Sequence, residues 1–464
     1  MVSSKRKPDK VQGVFFWSSI PPLIRWLKGR LWTRLRFVWL GLMFLTLFCV
    51  TFQFLGVVSQ SRNSITLNEF FNKNFFNMKF PFNKKFPFSL NWSDGALVAG
   101  QSGTVNGEAS TRLATRPAME WWASCQPKSH IFFLKTHKTA SSTIQNILYR
   151  YGDSRNLTFA LPSNKQNQLG YPEMFSANFV QGLRSVPEYH IMCNHLRFMP
   201  HEVKKVMPAD TFYFSILRNP VSMMESIFMY YKAEIFQTVN SLDEFLADPW
   251  KFYNTSLSSS YYAKNLLAFD FGFNETTQAQ LAISMIEKNF NLILLSDYFD
   301  ESMILLKNDL CWTLEDVVSF KINSRNNDSR KLLSPDTIDK IKVWNSLDWK
   351  IYLHFNATFW RKVDMMGGRE RMKQEVAMLK QKREELMKTC LLEGGAVDPS
   401  HVKEQDMTPF QYGAAVIQGY NLKSELEGPM RKQCLDLIMP ELQYTAALYE
   451  KQFPSFPSNG NLTL

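Results

Sequence analysis

Short apolar runs and amphipathic stretches alternate along the chain after Cys125, and this alternation predicts an α/β fold. Apolar residues at helical spacing follow the first run, at Ile144, Ile147 and Leu148. Runs rich in β-branched and aromatic residues predict buried strands at 130–134, 189–193, 211–217 and 291–295. Apolar periodicity and helix-start residues predict further helices at 221–231, 281–288, 297–310 and 368–390.

A different pattern lies upstream, where residues 37–58 contain no charged side chain. As a helix, this stretch would extend about 33 Å, which is enough to cross a bilayer. Nine basic residues and one Asp give residues 1–36 a net charge of +8, so most of the chain's +11 lies in this tail. A basic flank of this kind orients a membrane helix with the tail in the cytosol, and it does not indicate nucleic-acid binding.

We therefore predict a single-pass type II membrane protein with its body in the lumen. A cleaved signal peptide would have a shorter apolar core nearer the N-terminus. The predicted segments are a cytosolic basic tail (1–36), a transmembrane signal-anchor helix (37–58), a lumenal stem (59–124), a catalytic domain (125–453) and a C-terminal tail (454–464).

Glycosylation sequons and cysteines fit a lumenal body. All seven N-x-[ST] sequons follow the apolar stretch, at Asn91, Asn156, Asn254, Asn274, Asn327, Asn356 and Asn461. Beyond Cys49 there are five cysteines: Cys125, Cys193, Cys311, Cys390 and Cys434. In an oxidising compartment these predict one or two disulfides, and the odd thiol remains free or pairs between chains, which leaves a homodimer open. No C-x-x-C pair or His/Cys cluster in the sequence indicates a structural metal.

The candidate chemistry centres on the segment between the first strand and the first helix, residues 135–143. Its small hydroxyl residues, two lysines and a histidine precede a helix N-terminus, where free N–H groups and the helix dipole favour an anion. Lys138 adds a full charge, and Ser141, Ser142 and Thr143 add hydroxyl donors. The glycines of the nucleotide-triphosphate loop are missing. Taken alone, the segment also fits an ordinary strand–helix turn.

A second set of polar residues follows the strand at 211–217. Arg218 ends this strand, and Ser226 lies two turns into the next helix, so the two can hold one phosphate from two sides. A surface salt bridge and an ordinary helix serine are the alternative. The acidic residues 297–301 are interpreted as helix-start residues, with a metal or acceptor site as the alternative. The polar loop 320–325 either closes over a nucleotide or is a solvated surface loop.

Residues 134–143 resemble the signature loop of the Golgi galactose 3-O-sulfotransferases. Further similar stretches are Asn194-His195-Leu196-Arg197-Phe198, Tyr298-Phe299-Asp300-Glu301-Ser302, His354-Phe355-Asn356-Ala357-Thr358-Phe359-Trp360 and Pro440-Glu441-Leu442-Gln443-Tyr444. Together they extend in order from about Cys125 to about Phe453. The family includes galactosylceramide sulfotransferase and enzymes acting on galactose-terminated glycans of glycoproteins.

The resemblance implies a P-loop-like sulfotransferase fold, with a central parallel sheet flanked by helices. It also implies transfer of a sulfuryl group from 3′-phosphoadenylyl sulfate to the 3-hydroxyl of β-galactose, on a glycan or a glycolipid at the Golgi membrane, without a metal. His137 is the expected base, with His195 as the rival base or an acceptor-binding residue. Lys138 is expected at the donor 5′-phosphate, balancing the leaving charge. The remaining expected donor-binding residues are Lys135, Thr139, Ser141, Ser142 and Thr143 at the phosphosulfate, and Arg218 and Ser226 at the 3′-phosphate.

Three other functions stay open at the level of sequence. A sulfotransferase for another sugar position or for a glycosaminoglycan is the nearest, although a long anionic polymer would favour a more basic body. A type II Golgi glycosyltransferase shares the layout, but no Asp-x-Asp pair occurs in the chain. A non-catalytic lumenal binding protein is opposed by the presence of every expected loop residue. Nothing in the sequence selects a glycolipid, an O-glycan or an N-glycan acceptor.

Overall fold

The computed structural model describes residues 125–454, except for 232–234, 258, 327–331 and 414. The predicted tail, membrane helix and stem, together with residues 455–464, lie outside the described residues. So do Cys49 and the sequons at Asn91, Asn327 and Asn461. Within the described part, none of the helices combines the length and the apolar character that crossing a bilayer requires. The described residues belong to one compact unit, Glu108–Leu464.

A four-stranded parallel sheet forms the centre of this unit. Its strands are β1 (Ile131–Leu134), β2 (Ile191–Met192), β3 (Phe212–Leu217) and β4 (Leu292–Leu295), in the spatial order β2-β1-β3-β4. Every strand residue except Tyr213 is buried, which explains why the runs are continuously apolar and do not alternate. The four predicted strands and the parallel sheet are confirmed.

Fourteen α-helices accompany the sheet in the described residues. They are α1 (Ser141–Ser154), α2 (Pro200–Val203), α3 (Pro220–Tyr230), α4 (Leu242–Ala247), α5 (Pro249–Phe252), α6 (Leu266–Asp270), α7 (Ala279–Asn289), α8 (Phe299–Leu310), α9 (Leu314–Val317), α10 (Pro335–Trp344), α11 (Ser346–Met365), α12 (Gly368–Cys390), α13 (Gly428–Ile438) and α14 (Glu441–Gln452). Helices α8 and α11 pack on β4, and α1 packs against α14. The helices predicted from the sequence correspond to α1, α3, α7, α8 and α12.

Two local details follow from the sequence as expected. The side chain of Asn219 accepts the N–H of Val221 at 3.0 Å and caps α3, whose first residue is Pro220. Asp300 and Glu301 lie in the first turn of α8, where the helix dipole favours them. Asp300 also pairs with Arg383 of α12. The helix-start interpretation of the acidic residues therefore accounts for their position.

Two disulfides connect distant parts of the described chain. Cys125 is bonded to Cys311 at the end of α8, and Cys390 at the end of α12 is bonded to Cys434 in α13. Cys193 is a free thiol and is buried. The expected one or two disulfides with an odd thiol are confirmed.

Candidate active site

The loop between β1 and α1 lies at the carboxyl end of β1, the edge of a parallel sheet where ligands usually bind. Its backbone adopts left-handed conformations at Lys138 (φ 58°) and Ala140 (φ 64°), which L-residues rarely adopt. These turns bring the chain into α1 with Ala140 as its exposed N-cap residue. In α1 the N–H of Thr143 donates to the carbonyl oxygen of Ala140 at 3.1 Å. The N–H groups that precede it in the first turn have no helical i−4 acceptor, so they are suited to an anion.

Hydroxyl groups of the loop hold it in this shape. The carbonyl oxygen of Thr136 accepts hydrogen bonds from the hydroxyls of Thr139 at 3.1 Å and Ser141 at 2.6 Å. The hydroxyl of Thr136 donates to the carbonyl of Ile216 in β3 at 2.5 Å. The loop is therefore attached to the neighbouring strand, and the expected donor-binding residues Thr139 and Ser141 use their hydroxyl protons inside the loop.

Lys138 lies among other cations at this edge. The guanidinium of Arg218, at the end of β3, donates to the carbonyl of Lys138 at 2.9 Å. Burial, with the nearby charges of Arg218, Arg325 and Lys135, lowers the pKa of Lys138 to about 7. Its ammonium lies 3.4 Å from the centre of the Tyr230 ring. An arriving anion would find an excess of positive charge here.

Lys135 is arranged differently, because its charge already has partners. Its ammonium lies 3.1 Å from the carboxylate of Glu441, the first residue of α14, and 2.9 Å from Nε2 of His195. The same carboxylate oxygen accepts the hydroxyl of Ser142 at 2.6 Å. Lys135 is buried, so this network holds the loop, α1 and α14 together.

His195 has a partner at each ring nitrogen. Nδ1 is 2.9 Å from the carbonyl oxygen of Lys135 and must donate to it, so Nε2 accepts from the Lys135 ammonium. Burial, with the neighbouring His137 and Lys135, lowers the pKa of His195 well below its ordinary value. The His195 ring stacks on His137 with centroids 4.0 Å apart. The rival base is therefore a neutral residue whose accepting nitrogen is occupied.

His137 is held by a carboxylate. Its Nδ1 lies 3.0 Å from one oxygen of Asp270, and its backbone N–H donates to the other oxygen at 2.8 Å. The hydroxyl of Tyr171 donates to Asp270 at 2.8 Å. This arrangement assigns the imidazole proton to Nδ1 and leaves Nε2 as the proton acceptor, as in other carboxylate–histidine pairs. The pair can therefore perform general base catalysis.

Asp270 itself ends α6, and a second buried carboxylate fixes that short helix. Asp348 of α11 accepts the N–H groups of Leu267 and Ala268 at 3.0 Å and 2.8 Å. Burial raises the pKa of Asp348 to about 7. Asp348 thus holds the start of α6, and the last residue of that helix is Asp270, the partner of His137.

Comparison with protein families gives a match that covers most of the chain. The galactose-3-O-sulfotransferase family model matches residues 90–452. The chain belongs to the galactose-3-O-sulfotransferase family. Galactose-3-O-sulfotransferase 2 of Mus musculus is 47% identical over 340 residues, covering 71% of this chain and 86% of its own. Galactosylceramide sulfotransferase of Homo sapiens is 41% identical over 331 residues, covering 69% of this chain and 78% of its own.

Among solved structures, a sulfotransferase from Alicyclobacillus acidocaldarius aligns with a TM-score of 0.30 and 12% identity. The alignment covers 50% of this chain and 96% of that one.

In this family member, the structure brings most of the sequence-predicted site residues to one edge of the sheet. The loop residues 135–143 meet His195 and Arg218 there. Ser226 is buried in α3, two turns after Arg218. The hydroxyl of Thr143 accepts the N–H of Ile322 at 3.1 Å, so the loop 320–325 lies against α1. Ile322 is buried, whereas Lys321 and Asn323 are exposed, so the loop is solvated on one side and neither alternative for it is excluded.

Sequence reasoning missed Asp270, Tyr171 and Asp348 and gave no role to Glu441. Asp270 is 133 positions from His137 along the chain, and Glu441 is 299 positions from Ser142. No local pattern marks Asp270 or Tyr171 as functional, and Glu441 carries only the stretch 440–444 as a signal. Their roles depend on tertiary contacts alone.

Proposed function

We propose that this protein transfers a sulfuryl group from 3′-phosphoadenylyl sulfate to the 3-hydroxyl of β-galactose at the end of a glycan or glycolipid. The observation that carries the proposal is the His137–Asp270 pair beside the loop 135–143, where Lys138 and its neighbouring cations favour an anion. Family membership supports the chemistry, because the curated relatives are sulfotransferases for galactose-containing acceptors by name.

The residues of the loop fit a phosphosulfate donor. Lys138 and the free N–H groups at the start of α1 supply positive charge at the carboxyl edge of the sheet. Arg218 can present a forked pair of donors to a phosphate. Ser226, in α3, is proposed to bind the same 3′-phosphate from the other side. Ser142 and Thr143 are proposed to bind the phosphosulfate. In the structure the Ser142 hydroxyl donates to Glu441 and the Thr143 hydroxyl accepts from Ile322, so both would change partner when the donor binds.

Lys135 has a supporting role in this proposal. Its ammonium is shared between the carboxylate of Glu441 and Nε2 of His195, so less of its charge is free for the donor. Lys138 differs, because its ammonium lies 3.4 Å from the centre of the uncharged Tyr230 ring, and its contact with Arg218 is through the backbone carbonyl oxygen. Lys138 is therefore the cation that balances the leaving phosphate.

The proposed step is an in-line displacement at sulfur. Nε2 of His137 takes the proton of the galactose 3-hydroxyl while that oxygen forms a bond to sulfur. The bond between sulfur and the donor phosphate oxygen breaks, and its electron pair stays on the phosphate. Lys138 and the N–H groups of α1 stabilise the charge that develops there. Asp270 holds the imidazole in position and stabilises the imidazolium that forms.

We further propose that the chain is a type II protein of the Golgi membrane, with its catalytic domain in the lumen. The basic tail and the uncharged residues 37–58 support this orientation. Two disulfides in the catalytic region support an oxidising compartment.

The test is a transfer assay with radiolabelled donor and a panel of β-galactosides that includes galactosylceramide, a core O-glycan and an N-glycan antenna. We expect the label on the galactose 3-hydroxyl of at least one acceptor. The 3-deoxy analogue of that acceptor, which lacks this hydroxyl, should receive no label. Labelling at another sugar position would contradict the proposed acceptor atom. Donor binding without transfer to any acceptor would favour the non-catalytic alternative.

A further inference from the structure

At the amino end of the sheet, three potential metal ligands meet in space. His130 directly precedes β1, His190 directly precedes β2, and Glu188 lies two residues before His190. One ligand atom from each of the three lies within 4.8 Å of the others. This cluster of His130, Glu188 and His190 lies at the opposite end of β1 from the loop 135–143. The proposed sulfuryl transfer does not use it.

The distances in the cluster match the edges of a small coordination polyhedron. Nε2 of His130 lies 3.5 Å from one oxygen of Glu188, and Nε2 of His190 lies 3.8 Å from the other. A tetrahedral zinc ion with bonds of about 2.1 Å requires ligand atoms about 3.4 Å apart. Small side-chain adjustments are therefore enough to close the site around an ion.

The sheet fixes the backbones of both histidines. The carbonyl oxygen of His130 accepts the N–H of Phe212 at 2.9 Å, and that of His190 accepts the N–H of Ile131 at 2.7 Å. The two rings lie with centroids 5.2 Å apart. Because neighbouring parallel strands start at these residues, the two imidazoles are presented side by side without any local sequence motif.

A fourth residue prepares one imidazole for a metal. Nδ1 of His130 lies 2.9 Å and 3.0 Å from the two oxygens of Asp210, which places its proton on Nδ1 and leaves Nε2 free to coordinate. A carboxylate behind a ligating histidine is the usual outer partner in zinc sites. For His190, coordination through Nε2 requires the proton on Nδ1. In the structure the N–H of Thr158 donates to Nδ1 of His190 at 3.3 Å, so metal binding would move the imidazole proton from Nε2 to Nδ1 and break this hydrogen bond.

We propose that His130, Glu188 and His190 bind a divalent cation of the zinc class. A site with two imidazoles and one carboxylate binds zinc in preference to calcium or magnesium. The carboxylate of Glu188 is about half exposed, so the fourth position is open to water or to a ligand from solution. The ion connects the starts of β1 and β2 to residue 188, and it stabilises the folded state by mass action.

Calorimetric titration of chelator-treated protein with zinc chloride tests this proposal. The wild-type chain should bind one zinc ion with a Kd below about 10 µM, and zinc should raise its Tm. Glu188→Gln and His190→Gln should each weaken binding at least about tenfold and remove the Tm increase. Glu188 is half exposed, so its substitution leaves the fold intact. His201→Gln, at an exposed histidine outside the cluster, should bind zinc as wild type does.

Either of two results would overturn the site itself, and a third would overturn the choice of metal. One is a wild-type chain that binds no zinc with one-to-one stoichiometry in this range. The other is a folded Glu188→Gln variant with wild-type affinity, since the binding would then come from other groups. A magnesium or calcium titration that gives the same affinity as zinc would contradict the assignment to the zinc class.

Discussion

Two histidines stack at the candidate active site, and their hydrogen bonds give them different capacities. His195 donates from Nδ1 to a backbone carbonyl and accepts a lysine proton at Nε2. His137 donates from Nδ1 to Asp270, which leaves Nε2 without the partner that blocks His195. A base must accept a proton from the substrate, so the geometry favours His137.

Asp270→Asn tests the pairing at the residue scale. An amide at this position can donate to Nδ1 and stabilise the tautomer with its proton on Nε2, which cannot accept one. We expect kcat to fall by about 10²–10⁴-fold, the range for lost general base catalysis. Affinity for adenosine 3′,5′-bisphosphate should stay close to wild type. Asp309→Asn, which removes an ion pair with Lys362 outside the site, is the control. A kcat near wild type in Asp270→Asn would refute the role of the pair.

The lowered pKa of Lys138 predicts that the affinity for the donor nucleotide depends on pH. Its pKa is about 7 in the free protein, and a bound anion raises it, so binding above pH 7 requires uptake of a proton. Affinity for adenosine 3′,5′-bisphosphate should therefore fall by up to about tenfold per pH unit above 7. Lys138→Arg, which stays protonated, should lose less affinity over the same range. Titrations at several pH values would measure both, and parallel curves would contradict the account.

At the residue scale, the sequence was informative where the candidate residues are neighbours in one loop. The lysines, the histidine and the hydroxyls of residues 135–143 are adjacent in sequence and precede a helix, so their common location follows from the pattern. Asp270 is far from His137 in sequence, and its neighbours are apolar residues of a short helix. Burial of its carboxylate next to His137 is a tertiary property.

At the scale of elements, α6 connects two carboxylates. Asp348 accepts two N–H groups at its start, and Asp270 lies at its end. Helix α6 has only five residues, so its position depends on this attachment more than on its own stability.

Asp348→Asn tests the attachment through stability. Because the folded state raises the pKa of Asp348 to about 7, the folded chain retains a proton that the unfolded chain releases, and stability falls as pH rises from about 4 to 7. Asn does not titrate. The free energy of unfolding of wild type, minus that of the variant, should therefore decrease by about 2 kcal/mol between pH 5 and 7.5. Denaturant unfolding measures this difference, and a pH-independent difference would contradict it.

The strands were predictable because both faces of the sheet are covered, which produces continuous apolar runs. Helix α11 was not predicted, although it is among the longest of the described helices. Its sequence mixes aromatic residues on several sides, and buried residues such as Asp348 and Tyr352 interrupt a simple apolar stripe. Helices α13 and α14 were missed as well. They pack beside the site, and α14 supplies Glu441.

At the scale of the whole molecule, the disulfides close two large loops. Cys125 and Cys311 are 186 positions apart, and Cys390 and Cys434 are 44 apart. In the chain-entropy model, each restricts the unfolded chain, and the longer loop does so more strongly. Replacing either pair by serine should lower the free energy of unfolding by about 2–5 kcal/mol, with the larger loss for Cys125/Cys311. Cys193→Ala, at the free thiol, is the control. An equal or reversed order would contradict the loop-length explanation.

The sequence predicted the presence of disulfides but not their pairing, because pairing depends on which helix ends meet. The membrane helix at 37–58 remains a prediction, since it lies outside the described residues. The amino-end cluster of His130, Glu188 and His190 was invisible in the sequence for a related reason. Its histidines are 60 positions apart and meet only because β1 and β2 are neighbours.

The central claim is that His137 takes the proton of the acceptor hydroxyl. The most direct measurement compares wild type and His137→Ala in two assays, sulfuryl transfer to a β-galactoside and binding of adenosine 3′,5′-bisphosphate. We predict that the variant binds the nucleotide as wild type does, while its transfer rate falls by about 10²–10⁴-fold. A variant that keeps most of the transfer activity would contradict the claim, and His195 would then be the base to test.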